Sequence, residues 1–299
     1  MSKKIIVSVI VLTRGKEKYV LGEQSFRDYE LIVVPGDGMP AEKRNRAARK
    51  ARGEFLAFID DDAYPDKNWL KNAVSNFSDP QIAAVGGPGV TPPADNLKQQ
   101  VSGLIWESWL GAGPNTYRCR PCPKRFVDDY PTFNLLIRKA DFLKIGGINS
   151  EFWPGEDTQL CHDLVYKLNK KILYDPRVLV YHHRRPVFLP HLRQISRYGF
   201  RRGHFAKTLP QTSRRLFYFA PALLVLSLPV SFPVYFLLVF LEAIRIFLTK
   251  KNLLPALLFT PAVFLTHLVY GVSFLRSFSI TSICRWDCHK EGRYLSADL

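Results

Sequence analysis

Apolar positions come in blocks over the first 130 residues. IIVSVIVLT (5–13) and YELIVV (29–34) are strand-length runs, AEKRNRAARKAR (41–52) is a basic helix stopped by Gly53, and EFLAFID (54–60) is a third strand. A short helical stretch is expected between the first two runs. This β-α-β-α-β order predicts a mostly parallel sheet with helices on its faces and a ligand site beyond the carboxyl ends of the strands. The third strand runs into Asp60, Asp61 and Asp62 at such an end.

Beyond them, YPDKNWLKNAVSNF reads as a helix opened near Pro65 and Asp66, and IAAVGGPGV as a strand with a glycine turn. Residues 88–126 read as an irregular excursion holding Trp106 and Trp109. Regular signals resume with FNLLIRKADFLKIGGI, PGEDTQLCHDLVYKLN, helical after Glu156, and KILYDPRVLVYHH, one strand or two. Residues 181–215 then hold nine Lys/Arg and no acid, with Arg193, Arg197 and Arg201 forming one stripe on a helix.

Residues 216–244 and 253–275 are apolar runs of 29 and 23 residues with Glu242 as their one charge, long enough to span a bilayer. Pro229 and Pro233 permit a hairpin inside the first run, so two spans or three are open. Two suit the basic tail of Arg276, Arg285, Lys290 and Arg293, whereas three return Lys250 and Lys251 to the first side. The expected layout is a catalytic domain over 1–180, a basic interfacial segment over 181–215, a transmembrane region over 216–276 and a tail over 277–299.

Charge adds to this picture without choosing a ligand. Of the net +16, residues 1–215 carry +13, from 35 basic and 22 acidic side chains. Nucleic acid, an anionic membrane or a phosphorylated ligand fits that field equally. The basic run abuts the apolar segments and contains no nucleic-acid-binding motif, so no nucleic-acid partner is expected. MSKK before the first run is too short and too quickly polar for a signal peptide, so the catalytic domain is expected in the cytoplasm, with the apolar runs setting the chain in the cell membrane. Five cysteines rule out a complete intrachain disulfide framework; Cys119/Cys122 and Cys284/Cys288 beside His289 are read as free thiols ahead of a zinc site.

Asp60, Asp61 and Asp62 are either screened by solvent or gathered around a cation. Hard divalent ions such as Mg²⁺ and Mn²⁺ take carboxylate oxygens, with water and substrate phosphates completing the shell. Arg44 and Arg49 precede the cluster and suit a pyrophosphate, or else form a solvated helix face. Asp37, between two glycines in VVPGDG, is a nucleotide contact or a turn residue.

The run VSVIVLT, SFRDYELIVV, KRNRAARKARGEFLAFIDDDAYPDKNWL, FNLLIRKADFLKIGGINSEFWPGEDTQL and DPRVLVYHH closely resembles the family 2 glycosyltransferases of the GT-A fold, from residue 5 to about 205 and in the family's order. The resemblance implies a nucleotide-sugar donor bound by Asp60 and Asp61, a Mn²⁺ or Mg²⁺ ion on Asp62 and His182, with His183 as the alternative ligand, and Asp157 of the Glu156–Asp157 pair as catalytic base. It implies that Gln194, Arg197 and Tyr198, a Q-x-x-R-Y close to the family's Q-x-x-R-W, hold the acceptor. One departure is the missing acidic pair after the second strand, which leaves the nucleotide base open. The expected activity is inverting transfer of a sugar to a hydroxyl of a lipid-linked or glycan acceptor at the membrane. The alternative is a polyprenyl- or dolichyl-phosphate glycosyltransferase, whose acceptor is already an anion.

Overall fold

The computed structural model describes residues 5–13, 19 and 21–280. In chain order the front part comprises β1 (Val7–Leu12), β2 (Tyr29–Val34), α1 (Pro40–Lys50), β3 (Phe55–Asp60), β4 (Ala63–Pro65), α2 (Trp69–Val74), β5 (Ile82–Gly86), β6 (Gly89–Val90), α3 (Leu97–Glu107) and α4 (Trp109–Ala112). Then follow β7 (Arg125–Val127), β8 (Asn134–Arg138), α5 (Lys139–Lys144), α6 (Glu156–His162), β9 (Lys171–Tyr174) and β10 (Val180–His182). The chain continues through α7 (Leu189–Thr208), α8 (Pro210–Ser213), α9 (Leu216–Lys250) and α10 (Leu253–Ser279).

Seven strands form one sheet in the order β2-β1-β3-β8-β5-β9-β7. β1 pairs in parallel with β2 and β3, and β5 with β9, while β8 and β7 run against their neighbours. Five strands thus point one way, and the sheet is mixed rather than wholly parallel. The apolar blocks of β1 and β3 are buried on both faces, as strands covered by two helical layers must be. Register sets Val34, Leu12 and Asp60 side by side, so the carboxyl edge of β2, β1 and β3 is where the chain turns into the acidic cluster.

Two details differ from the sequence reading. No helix occurs between β1 and β2 among the described residues. Residues 88–126 are not one irregular excursion, because α3 lies within them, opened by a capping box in which Asn96 and Gln99 satisfy each other's backbone N–H groups. The N-x-x-Q spacing was readable; surrounding prolines and glycines obscured it. Cys119, Cys122 and Cys161 carry free thiols, and Cys284, Cys288, His289, Arg285, Lys290 and Arg293 lie outside the described residues.

The apolar region forms two helices. Pro221, Pro229 and Pro233 all sit inside the continuous 35-residue α9, which at 1.5 Å per residue is about 52 Å long. Hydroxyls of Ser227 and Ser231 bond the i−4 carbonyls of Leu223 and Ser227 within the helix. The chain reverses at Lys251, whose φ of 51° is left-handed, and Asn252 caps α10. Leu216–Lys250 and Leu253–Ser279 are each long and apolar enough to cross a membrane.

Candidate active site

A second, three-stranded sheet of order β4-β10-β6 builds the acidic cluster. Antiparallel pairing sets His182 opposite Ala63, and the His183 N–H donates to the Asp62 carbonyl at 3.0 Å. Residues 120 positions apart thereby meet: His182 Nε2 lies 3.1 Å from Asp62 Oδ1. One ligand atom each from Asp60, Asp62 and His182 falls within 4.8 Å of the others. The imidazole stacks on Phe133 at 4.8 Å, and its Nδ1 is buried without a partner. His183 turns away to Asp95, 2.5 Å from Nδ1 to carboxylate, so the register of the histidine pair favours His182.

These carboxylates are not equivalent. Burial raises the Asp60 pKa, with Asp62 and Asp61 adding to the rise and Arg44 and His182 opposing it. Burial works on Asp62 too, but the His182 hydrogen bond and charge, helped by Arg185, prevail and lower its pKa. Asp61 is exposed on the outer side of the turn. Burial and the three aspartates also push the Tyr19 phenol up, and its hydroxyl donates to the Ala63 carbonyl at 2.6 Å.

Arg44 joins the cluster to the second acidic pair. Its guanidinium lies 3.3 Å from Asp60 Oδ1 and 3.3 Å from Glu156 Oε1. Glu156 also accepts from the Gly155 N–H at 3.0 Å, so it is occupied as an ion-pair partner. Arg49, in the last turn of α1, is exposed and five residues along the helix from Arg44, about 7.5 Å at 1.5 Å per residue. Asp37 is exposed in a turn between Gly36 and Gly38, both at positive φ, beyond the carboxyl edge of β2.

Asp157 opens α6. Gly155 before it has φ of 125°, and a Cβ there would meet the Phe205 ring at 2.7 Å, so glycine is required on both counts. Position at a helix start predicts a readily ionised Asp157. Burial and the neighbouring Glu156 and Asp129 charges outweigh the dipole and raise it to about 7. Asp129, which nothing in its sequence surroundings distinguishes, is held low, at about 2, because Arg202 and Arg118 more than offset its burial. It accepts from the Thr158 hydroxyl at 3.0 Å and from Arg202 at 3.0 Å, tying α6 to α7.

α7 supplies the opposite wall. Gln194 donates to the Tyr198 hydroxyl at 3.0 Å, and the Tyr198 ring meets Trp106 of α3 edge-on at 6.1 Å. Burial, then the Asp157 and Asp60 charges, push the Tyr198 phenol up to about 12. Arg197 is half-buried one residue earlier, and Arg201 donates to the Trp153 carbonyl, an internal contact that the surface-stripe reading missed.

Residues 17–143 match the family model described as Glycosyl transferase family 2. Pre-mycofactocin glycosyltransferase of Mycobacterium tuberculosis is 26% identical over 172 residues, 58% of this chain and 36% of that protein. The chain thus aligns with little more than a third of that relative's length. A second relative is the dolichyl N-acetyl-alpha-D-glucosaminyl phosphate 3-beta-D-2,3-diacetamido-2,3-dideoxy-beta-D-glucuronosyltransferase of Methanococcus voltae. It is 21% identical over 305 residues, 85% of this chain and 92% of that one. Among solved structures, the mannosyltransferase PcManGT from Pyrobaculum calidifontis, in complex with GDP-Man and Mn²⁺, superposes with a TM-score of 0.52 at 17% identity, covering 91% of this chain and 86% of that one. Residues 17–143 therefore match a family 2 glycosyltransferase domain, and the chain carries a GT-A fold ahead of two apolar helices.

Proposed function

We propose that the chain is a membrane-associated, metal-dependent inverting glycosyltransferase that moves a sugar from a nucleoside diphosphate to a hydroxyl of a lipid-linked or glycan acceptor. The observation that carries this reading is the convergence of Asp60, Asp62 and His182 within 4.8 Å at the carboxyl edge of the sheet. Two carboxylates and one imidazole suit Mn²⁺, and Mg²⁺ with more water in its shell, and the buried Nδ1 of half-buried His182 has no partner. Such an ion neutralises charge on the departing diphosphate.

The remaining steps belong to the chain's own residues. Arg44 holds Asp60 toward the donor side and keeps Glu156 engaged, so Asp157 is the carboxylate left to take a proton. A base near pH 7 is well matched to a hydroxyl acceptor. Tyr198, Gln194 and Trp106 form a polar and aromatic wall against which an acceptor sugar can sit. The Methanococcus voltae relative is named for a dolichyl-linked sugar phosphate, which favours a lipid-linked acceptor here. GDP-Man in the superposed mannosyltransferase leaves the donor base of this chain to be measured.

The test is a donor panel. Full-length protein in lipid vesicles is given Mn²⁺ or Mg²⁺, each common UDP-, GDP- and dTDP-sugar, and a membrane extract as acceptor source. Nucleotide release from at least one donor is expected. Release from none contradicts the enzyme reading.

A further inference from the structure

α7 runs parallel to α10 in close contact. His191 meets Thr266 at 3.0 Å, Ser196 meets Ser273 at 2.9 Å, and Lys207 donates to the Ser277 and Phe278 carbonyls, each at 3.0 Å. The pairs advance in the same direction along both helices. Gly199 and Gly203 make the approach possible, since a Cβ would fall 2.5 Å from the Tyr270 carbonyl oxygen and 2.4 Å from that of Phe274. α7 also carries the catalytic domain, through Arg202 to Asp129, Arg201 to the Trp153 carbonyl and the second ring nitrogen of His191 to Ser102. Farther along, Val101 and Ile105 of α3 share a buried cluster with Phe259 and Val263 of α10.

The catalytic domain therefore flanks α10 from Phe259 to Phe278, which is about 28 Å at 1.5 Å per residue. That is nearly the roughly 30 Å depth of a hydrocarbon layer. Standing α10 upright in a bilayer would submerge α7 with Arg193, Arg197, Arg201, Arg202 and Lys207, or tear it from α10. A second observation agrees. Arg214 and Arg215 are exposed before α9, and Lys250 and Lys251 at the turn, so both ends of the helix are cationic. Between them α9 exposes apolar side chains on most of its sides, Leu223, Leu226, Val230, Val234, Leu237 and Leu241 along one line and Phe232, Phe236 and Phe240 away from it. Two cationic ends on the same helix match one headgroup layer, with the apolar sides of α9 among the acyl chains beneath it.

We propose that α9 and α10 are not a pair of spans but an in-plane anchor, sunk into one leaflet with the exposed apolar sides of α9 among the acyl chains. The proposal rests on the membrane association inferred above. Both ends of the hairpin then stay on the catalytic domain's side, which removes the conflict between two and three spans.

The test is sidedness. Thr249→Cys or Asn252→Cys at the turn, and Lys71→Cys on the catalytic domain as reference, are placed in the full chain in sealed vesicles of phosphatidylcholine with phosphatidylserine. Labelling by a membrane-impermeant maleimide is scored above that of the unsubstituted chain. The turn and Lys71→Cys should react from the same face. Reaction of the turn from the opposite face, or from neither face while Lys71→Cys reacts, overturns the in-plane anchor. Protein that fails to sediment with the vesicles overturns the membrane association itself, a separate and distinguishable result.

Discussion

Replacing Asp157 by Asn keeps the shape of the side chain and removes its ability to take a proton. With the Asp157 carboxyl raised to about 7 by burial, Glu156 and Asp129, the wild-type rate should climb with pH as the base ionises. By titration arithmetic about a tenth of the molecules hold the ionised base at pH 6 and about nine-tenths at pH 8, a rise of roughly tenfold. Asp157→Asn should lose about 10²- to 10⁴-fold in transfer and show no such limb, while donor and metal binding persist. The stability sign runs the other way. A carboxyl raised in the folded state binds a proton that the unfolded chain releases above its own value near 4, so this group's contribution to stability is lost as pH rises from about 4 to 7. Initial rates across pH 5.5 to 8.5 at saturating donor provide the measurement. A wild-type profile flat through pH 7, or Asp157→Asn within a few-fold of wild type, refutes the base assignment and favours an acceptor that is already an anion, such as a lipid phosphate.

Other substitutions address the parts around that base. His182→Ala should weaken Mn²⁺ binding by about 10- to 100-fold, borrowing the range for disturbing a metal site's supporting shell, while His183→Ala, which faces Asp95, should leave it near wild type; calorimetric titration reads both. Arg44→Met strands Asp60 and Glu156, and breaking such a buried pair should cost about 3 kcal/mol in chemical denaturation, along with donor affinity. Gly199→Leu puts a Cβ 2.5 Å from the Tyr270 carbonyl oxygen and should lower stability by about 1–3 kcal/mol, seen as a lower Tm; an unchanged Tm would argue against the α7–α10 contact.

The parts legible in the sequence are those written in local pattern. Continuous apolar runs gave β1, β2 and β3, the acidic cluster marked the carboxyl edge, and Glu156 marked the start of α6, because strand burial and helix capping leave their signs within a few residues. Long-range partners were visible only through resemblance. Nothing local to Asp129 shows that Arg118 and Arg202 close around it, and nothing in Arg201 shows that it bonds the Trp153 carbonyl rather than facing solvent. The dipole argument for Asp157 failed for the same reason: it counts the helix and omits the burial and charge that the fold brings up beside it. Hydropathy likewise measured the length of α9 and α10, while only packing shows the catalytic domain lying along them.

The central claim is metal-dependent sugar transfer at Asp60, Asp62 and His182. It is tested most directly by nucleotide release from the preferred donor during EDTA treatment and Mn²⁺ add-back, for wild type and Asp62→Asn. The account predicts that EDTA abolishes release, that Mn²⁺ restores it in wild type, and that Asp62→Asn stays inactive at Mn²⁺ concentrations saturating for wild type. Release that persists in EDTA, or an Asp62→Asn variant restored at the same Mn²⁺ concentration as wild type, would contradict it.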